Sequence, residues 1–166
     1  MRTKISEMSK PKLHSGLMEI AVSELIGYRQ HTIVPNVYWG LYLQHECDLL
    51  VLDQNNRFTE VEIKVSLYDL KQDFKKPHGH SAKFISRLIY AVPIELEQKA
   101  CELVPKDCGI ITVRFDEHSK KFVASWLRQC RHKKNIAKPS DDIINKFYQL
   151  GCMRIWTLKK HLHKYF

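Results

Sequence analysis

The sequence predicts an α/β fold in which a mixed β-sheet is flanked by helices. Short apolar runs rich in β-branched residues recur along the chain, and they alternate with segments of helical periodicity. The predicted order is α-β-β-β-α-β-α-β, followed by a mixed C-terminal third. The chain has 166 residues, of which 44% are hydrophobic and 27% charged, which is typical of one globular domain.

Residues 15–28 are predicted to form the first helix, with Ser15 as its N-cap. Apolar side chains recur there at spacings of three and four residues and form one stripe. The members of the stripe are Leu17, Ile20, Ala21, Leu25 and Tyr28. Glu24 falls within this stripe, so we expect its carboxylate to face the protein interior. Residues 1–14 are polar and basic, and we expect them to form a flexible arm.

Three strands are predicted to follow the first helix, at Val37–Leu43, Cys47–Leu52 and Phe58–Val65. The second and third are joined by Asp-Gln-Asn-Asn, which is typical of a hairpin turn. Side chains alternate between the two faces of a strand. Glu60, Glu62 and Lys64 should therefore lie on one face of the third strand.

The remaining pattern predicts three more strands and three helices. They are a helix Leu67–Lys76 capped by Ser66, a strand Arg87–Val92, a helix Ile94–Leu103, strands Gly109–Phe115 and Phe122–Leu127, and a helix Asp141–Leu150 that ends at Gly151. The tail Arg154–Phe166 fits either a basic amphipathic helix or a strand followed by a helix. We therefore expect a core at residues 15–127 and a basic extension at residues 128–166 packed on the same domain.

The candidate catalytic residues are Glu24, Asp48, Glu62 and Lys64, of which the last two lie on the third strand. Asp48 opens the preceding strand, and the short hairpin would bring it close to Glu62. These carboxylates, with the main-chain carbonyl of Ile63, are oxygen ligands of the kind that Mg²⁺ prefers, and Mn²⁺ is expected to substitute. Lys64 would orient the attacking water or offset charge on a phosphate. Glu24 would help to bind the metal, directly or through water.

The order Glu24, then Asp48-x13-Glu62-x-Lys64, resembles the PD-(D/E)XK nuclease superfamily, with Cys47 in place of the proline. The segment CDLLVLDQNNRFTEVEIKVSLYDLKQDFKK, together with LIYAVPIEL and LVPKDCGIITV, resembles the MmcB-type DNA repair proteins over roughly residues 15–115. The resemblance implies a restriction-endonuclease-like core and a metal-dependent DNA endonuclease in DNA repair or processing.

The positive charge of the chain is concentrated in its last third. The formal net charge is +9, whereas residues 1–118 carry −1 and residues 119–166 carry +10. This asymmetry favours a nucleic-acid partner over a merely solvated basic face. The predicted phosphate contacts are Lys71, Lys120, Lys121, Arg128, Arg131, Lys133, Lys134 and Lys138. Lys71 shares its helix with Asp69 and Asp73, which either approach the site or form a solvated face.

Two other functions fit the same residues. A non-catalytic DNA-binding module or repair scaffold would have its carboxylates paired with Lys or Arg and no open metal position. A nuclease acting on RNA or in a mobile element is the third reading. Besides DNA, a second copy of the chain and other repair proteins are candidate partners.

Cellular location and cysteine chemistry are also predicted. The five cysteines include no CxxC, which argues against a disulfide framework or a structural zinc site. No apolar run reaches the about 18–20 residues that span a bilayer. We therefore expect no membrane partner and a cytoplasmic protein, or a nuclear one in a cell with a nucleus.

Overall fold

A computed structural model describes residues 11–38, 40–41, 43, 45–75 and 82–163, so most of the predicted N-terminal arm lies outside the described residues. A 3₁₀ turn at Ile94–Leu96 precedes the third helix. In chain order the other elements are α1 Ser15–Ile26, β1 Thr32–Val37, β2 Cys47–Leu52, β3 Phe58–Ile63, α2 Leu67–Asp73, β4 Ile85–Pro93, α3 Glu97–Leu103, β5 Gly109–Asp116, β6 Lys121–Arg128 and α4 Asp141–Leu162.

The described strands form one six-stranded mixed sheet in the order β1-β2-β3-β4-β5-β6. β3, β4 and β5 run parallel, and the outer pairs β1–β2, β2–β3 and β5–β6 are antiparallel. The predicted fold class, a mixed central sheet with flanking helices, is confirmed. Since parallel strands end at the same edge of a sheet, the carboxyl ends of β3 and β4 lie together, and β2 begins beside the end of β3.

Helices cover both faces of the sheet. On one face, Met18 and Val22 of α1 pack against Val61 and Ile63 of β3 and their neighbours. On the other face, α2 and α3 cover one part of the sheet and α4 another. Glu60, Glu62 and Lys64 are on this second face, as the alternation of β3 predicts, and all three are buried. The central strand therefore carries charged residues into the interior.

The predicted phase of α1 is wrong. The buried residues of α1 are Met18, Ala21 and Val22, whereas Ile20 is 58% exposed and Glu24 is also exposed. One turn of an α-helix takes 3.6 residues, so Glu24 points about 200° away from Val22. The helix also begins at Ser15 with His14 as its N-cap, so Ser15 is not the cap.

The first strand and the last helix also differ from the prediction. The first strand is Thr32–Val37 rather than Val37–Leu43, because this segment pairs with β2 along its whole length. The later chain turns away at Gly40, whose φ is +88°. The last helix does not end at Gly151 but continues to Leu162, which agrees with the basic-helix alternative for the described part of the tail. A Cβ at Gly151 would lie 3.3 Å from Val34 Cγ2, so this glycine allows α4 to approach β1.

Several local expectations hold. Ser66 caps α2 by accepting a hydrogen bond from Asp69 N at 3.1 Å, and Ser140 caps α4 by accepting one from Ile143 N at 3.4 Å. No helix in the described part of the chain is long and apolar enough to cross a bilayer.

Phe147 anchors α4 to the sheet, so its truncation should destabilise the fold. The Phe147 ring is fully buried and lies 5.1 Å from the ring of Phe58, centroid to centroid. We expect Phe147→Ala to lower the free energy of unfolding by about 3–5 kcal/mol in urea titrations. Trp156→Ala on the same helix, where the side chain is 63% exposed, is the matched control and should change it by no more than about 0.5 kcal/mol. Equal effects of the two variants would contradict this packing.

Candidate active site

The hairpin of β2 and β3 brings Asp48 to the end of β3. Asp48 Oδ2 accepts a hydrogen bond from Ile63 N at 2.7 Å, which fixes the carboxylate beside the Glu62–Lys64 segment. The Asp48 side chain is 33% exposed, whereas that of Glu62 is only 1% exposed. The site therefore has a buried side at Glu62 and a side open to solvent at Asp48.

The ammonium of Lys64 joins the carboxylates of the site. Lys64 Nζ donates a hydrogen bond to Glu62 Oε2 at 2.5 Å and lies 3.1 Å from Asp73 Oδ1 and 3.8 Å from Asp48 Oδ2. Burial acts to lower the pKa of Lys64, but Glu62, Asp73 and Asp48 together raise it above its usual value. Lys64 is therefore a fixed positive charge.

Glu62 is held in a crowded acidic environment. Burial raises its pKa, Lys64 opposes that effect, and Asp48 and Glu60 add to it, so that the pKa reaches about 8. The nearby lysine thus does not fully compensate for burial and for the neighbouring carboxylates. A divalent cation at this position would favour the ionised form of Glu62.

Asp73 and Tyr90 belong to the site, although the sequence pattern predicts no role for Tyr90 and fits either the site's edge or a solvated face for Asp73. Tyr90 Oη donates a hydrogen bond to Asp73 Oδ2 at 2.9 Å, and both side chains are buried. Asp73 follows the buried Leu70 by three residues on α2, a spacing that puts the two side chains on one helix face. That spacing was the available signal for Asp73. Tyr90 comes from β4, beside Glu62, and no local pattern marks it.

The acidic residue of α1 that faces the site is Glu19 and not Glu24. Glu24 is on the exposed side of α1, where it acts electrostatically on Arg29. Glu19 is partly buried, and burial and then the charge of Asp48 raise its pKa above the usual value. Glu19 thus replaces Glu24 as the candidate helix-borne carboxylate.

A second cluster lies beside the first, at the start of β2. His45 Nε2 is hydrogen-bonded to Glu60 Oε1, and Cys47 Sγ lies 3.8 Å from His45 Nε2. The potential ligand atoms of these three residues all lie within 4.8 Å of one another. Burial, followed by the charges of Glu60 and Glu62, raises the pKa of the Cys47 thiol well above its usual value. Without another cation the sulfur is therefore a thiol.

The predicted basic residues lie in two places. Lys71 is exposed on α2, which follows the site strand, and Lys120 and Lys121 are exposed at the turn after β5, near the carboxyl ends of the parallel strands. The segment after β6 runs to the opposite end of the sheet, where Lys133 N donates to Ser86 O near the start of β4. That second group comprises Arg131, Lys133, Lys134 and Lys138, all exposed.

Arg128 is a correction to the predicted phosphate contacts. Its guanidinium donates hydrogen bonds to the carbonyl oxygens of Cys108 at 3.0 Å, Val104 at 3.0 Å and Pro105 at 2.7 Å. These bonds tie β6 to the end of α3 and the loop that follows it. The side chain thus has a structural role, because its donors are directed at the protein's own backbone.

The donors of the site fit a hard divalent cation. Asp48 and Glu62 present carboxylate oxygens, and the carbonyl of Ile63 is carried by the residue between Glu62 and Lys64. Among the described residues of the cluster, carboxylates outnumber ammonium groups, since Asp48, Glu62 and Asp73 all lie within 4.0 Å of Lys64. The residual negative charge and the exposed side of Asp48 are compatible with Mg²⁺ or Mn²⁺.

Comparisons with known proteins agree with this fold. A solved structure of a protein of unknown function from Silicibacter pomeroyi has 16% sequence identity and a TM-score of 0.64, and the match covers 92% of this chain and 93% of that one. At this identity the likeness shows a common fold. No curated protein matches the sequence.

The model of the MmcB-like DNA repair proteins matches residues 13–161, which is most of the chain, and the PD-(D/E)XK superfamily is a broader placement compatible with it. The chain therefore belongs to the MmcB-like family of DNA repair proteins.

Proposed function

We propose that this protein is a metal-dependent DNA endonuclease that hydrolyses phosphodiester bonds in DNA repair or processing. The observation that carries the proposal is the convergence of Asp48, Glu62 and Lys64 in one half-buried cluster open to solvent at Asp48. Membership of a DNA repair family supports DNA as the substrate class.

The charge balance favours an enzyme over a scaffold. A scaffold predicts carboxylates fully compensated by Lys or Arg, and Lys64 does contact Glu62. However, the same ammonium also faces Asp48 and Asp73, and the pKa of Glu62 stays raised to about 8. One lysine is thus shared among three carboxylates, which leaves a demand for a further cation.

The residues of the site would have separate roles in metal binding and in charge stabilisation. Asp48 and Glu62, with the Ile63 carbonyl, would hold the metal; Glu19 would support it from α1. A bound Mg²⁺ would polarise the phosphodiester and lower the pKa of a coordinated water. Lys64 carries a fixed positive charge beside these ligands, where it would offset negative charge on the phosphate.

Asp73 and Tyr90 act through Lys64. Asp73 contacts the ammonium through Oδ1, while Oδ2 accepts the Tyr90 hydroxyl hydrogen. Both are therefore positioning residues, which keep Lys64 at the carboxylates rather than in solvent.

Metal-dependent cleavage is the direct test. Wild type should nick at least one member of a panel of supercoiled, single-stranded, forked and branched DNA with Mg²⁺ or Mn²⁺. Asp48→Asn removes a charged metal ligand and should abolish cleavage. Lys64→Met keeps the length of the side chain without its charge and should lower kcat about 100- to 1,000-fold.

Circular dichroism spectra that match wild type establish that the two variants are folded. Cleavage that survives chelation, or that persists in Asp48→Asn, would contradict the proposal. Binding without cleavage on every substrate would instead favour the scaffold.

Glu19 and Glu24 form a matched pair on one helix. Glu19→Gln should lower Mg²⁺-supported cleavage about 10- to 100-fold, the usual cost of losing a residue that supports metal ligands. Glu24→Gln should leave it unchanged, because this side chain is on the exposed face of α1. Titration of cleavage rate against Mg²⁺ separates an effect on metal affinity from one on kcat. The reverse ranking of the two variants would restore Glu24 to the site.

The salt dependence of DNA binding can show which of the two sets of basic residues, at opposite ends of the sheet, contacts DNA. The double variant Lys71→Ala/Lys121→Ala removes charges at the end of the sheet that carries the site, and it should reduce the slope of log K against log salt by about 1.8, since each phosphate contact contributes about 0.9. Lys133→Ala/Lys134→Ala, at the opposite end of the sheet, is the charge-matched control with a smaller expected change. Fluorescence anisotropy measures both, and a larger effect of the control pair would show that DNA lies along the C-terminal segment.

A further inference from the structure

We propose that His45, Cys47 and Glu60 form a second metal site, one that binds a zinc-class divalent ion and is separate from the Asp48–Glu62 site. The proposal does not depend on nuclease activity. It also departs from the expectation drawn from the cysteines, because it needs one thiol, a neighbouring imidazole and a carboxylate from another strand rather than a CxxC pair.

The separation of the His45 and Cys47 ligand atoms is close to that in a tetrahedral zinc site. In such a site the zinc–nitrogen and zinc–sulfur bond lengths put the two ligand atoms about 3.6 Å apart. His45 Nε2 and Cys47 Sγ are 3.8 Å apart. His45 and Glu60 lie closer than two ligands of one ion because they are hydrogen-bonded directly. An ion inserted between them would require a separation of about 3.4 Å, so the His45 side chain, which is 12% exposed, would have to move away from Glu60.

A cation would stabilise the carboxylate of Glu60, because this side chain is buried. Its side chain is 0% exposed, and it pairs in the sheet with Leu50 of β2 and Leu88 of β4, which belong to two apolar clusters. A buried carboxylate needs a partner or a metal, and His45 is the partner whose imidazole the ion would share. A thiol is a weak hydrogen-bond donor, so Cys47 contributes little as a neutral partner and much as a thiolate ligand.

The donor set selects the class of ion. Thiolate, imidazole and carboxylate are the usual ligands of Zn²⁺, whereas Mg²⁺ prefers oxygen ligands alone. Three protein ligands leave a fourth position for water. The two sites differ in their ligands: Glu60 belongs to this site and Glu62 to the other, although both carboxylates lie on one face of β3.

The position of this site gives the ion a structural consequence. His45 and Cys47 lie immediately before Asp48, and Glu60 is fixed in the central strand. An ion at this site would fasten the start of β2 to β3 and so hold the segment that carries Asp48.

The test is Co²⁺ titration of the full-length, metal-free protein, with Zn²⁺ as competitor. Thiolate-to-cobalt charge-transfer absorption should grow to saturation at one Co²⁺ per chain and disappear when Zn²⁺ is added. Cys47→Ser should abolish this absorption. Loss of a residue that only supports a metal ligand lowers metal affinity about 10- to 100-fold. Glu60→Gln removes a ligand and should therefore weaken Co²⁺ affinity by a larger factor.

Two controls separate this site from other thiols and from the Asp48–Glu62 site. Cys108→Ser removes another buried thiol and should retain the absorption, as should Asp48→Asn. X-ray absorption on Zn²⁺-loaded wild type needs no variant and should show one sulfur among nitrogen and oxygen ligands. Absence of charge transfer in wild type, its persistence in Cys47→Ser, or a zinc shell without sulfur would each overturn the proposal.

Discussion

The ion-pair network of Lys64 is the interaction around which the site is organised. Its ammonium lies within 4.0 Å of Glu62, Asp73 and Asp48, which come from β3, α2 and β2 respectively. A buried charge that loses its partners is strongly destabilising, so each of these elements is constrained to its place in the sheet and its cover. Tyr90 extends the network to β4 through Asp73. The polar strand face is thus tolerated because four elements supply charges or hydrogen bonds to it.

The same network sets the electrostatics of the proposed enzyme. The lysine is shared among several carboxylates, so it does not neutralise the cluster, and burial, with the charges of Asp48 and Glu60, keeps the pKa of Glu62 raised in spite of Lys64. A fold built only for stability would gain little from burying so much acid. The arrangement is understandable if the carboxylates are kept for a cation, with Asp48 left accessible from solvent.

The sequence revealed the site strand because alternation in β3 is unambiguous: Glu60, Glu62 and Lys64 can share a face in only one way. It failed on α1 because SGLMEIAVSELI is apolar on more than one side, so the spacing of apolar residues does not fix which side is buried. The local pattern predicts a helix end at Gly151, yet this glycine serves the contact of α4 with Val34, which depends on the tertiary structure. Tyr90 and the cluster of His45, Cys47 and Glu60 likewise depend on which strands become neighbours. The charge asymmetry along the sequence also did not predict where the basic residues lie in the fold, since those of the C-terminal third divide between the two ends of the sheet.

The most direct test of a metal ion held by Asp48 and Glu62 is a crystal structure with Mn²⁺, in which anomalous scattering locates the ion. We expect Mn²⁺ bound by carboxylate oxygens of Asp48 and Glu62 and by the carbonyl of Ile63, with Lys64 still held by Asp73. A structure at saturating Mn²⁺ with no anomalous peak between Asp48 and Glu62, and with the Glu62–Lys64 ion pair unchanged, would contradict it.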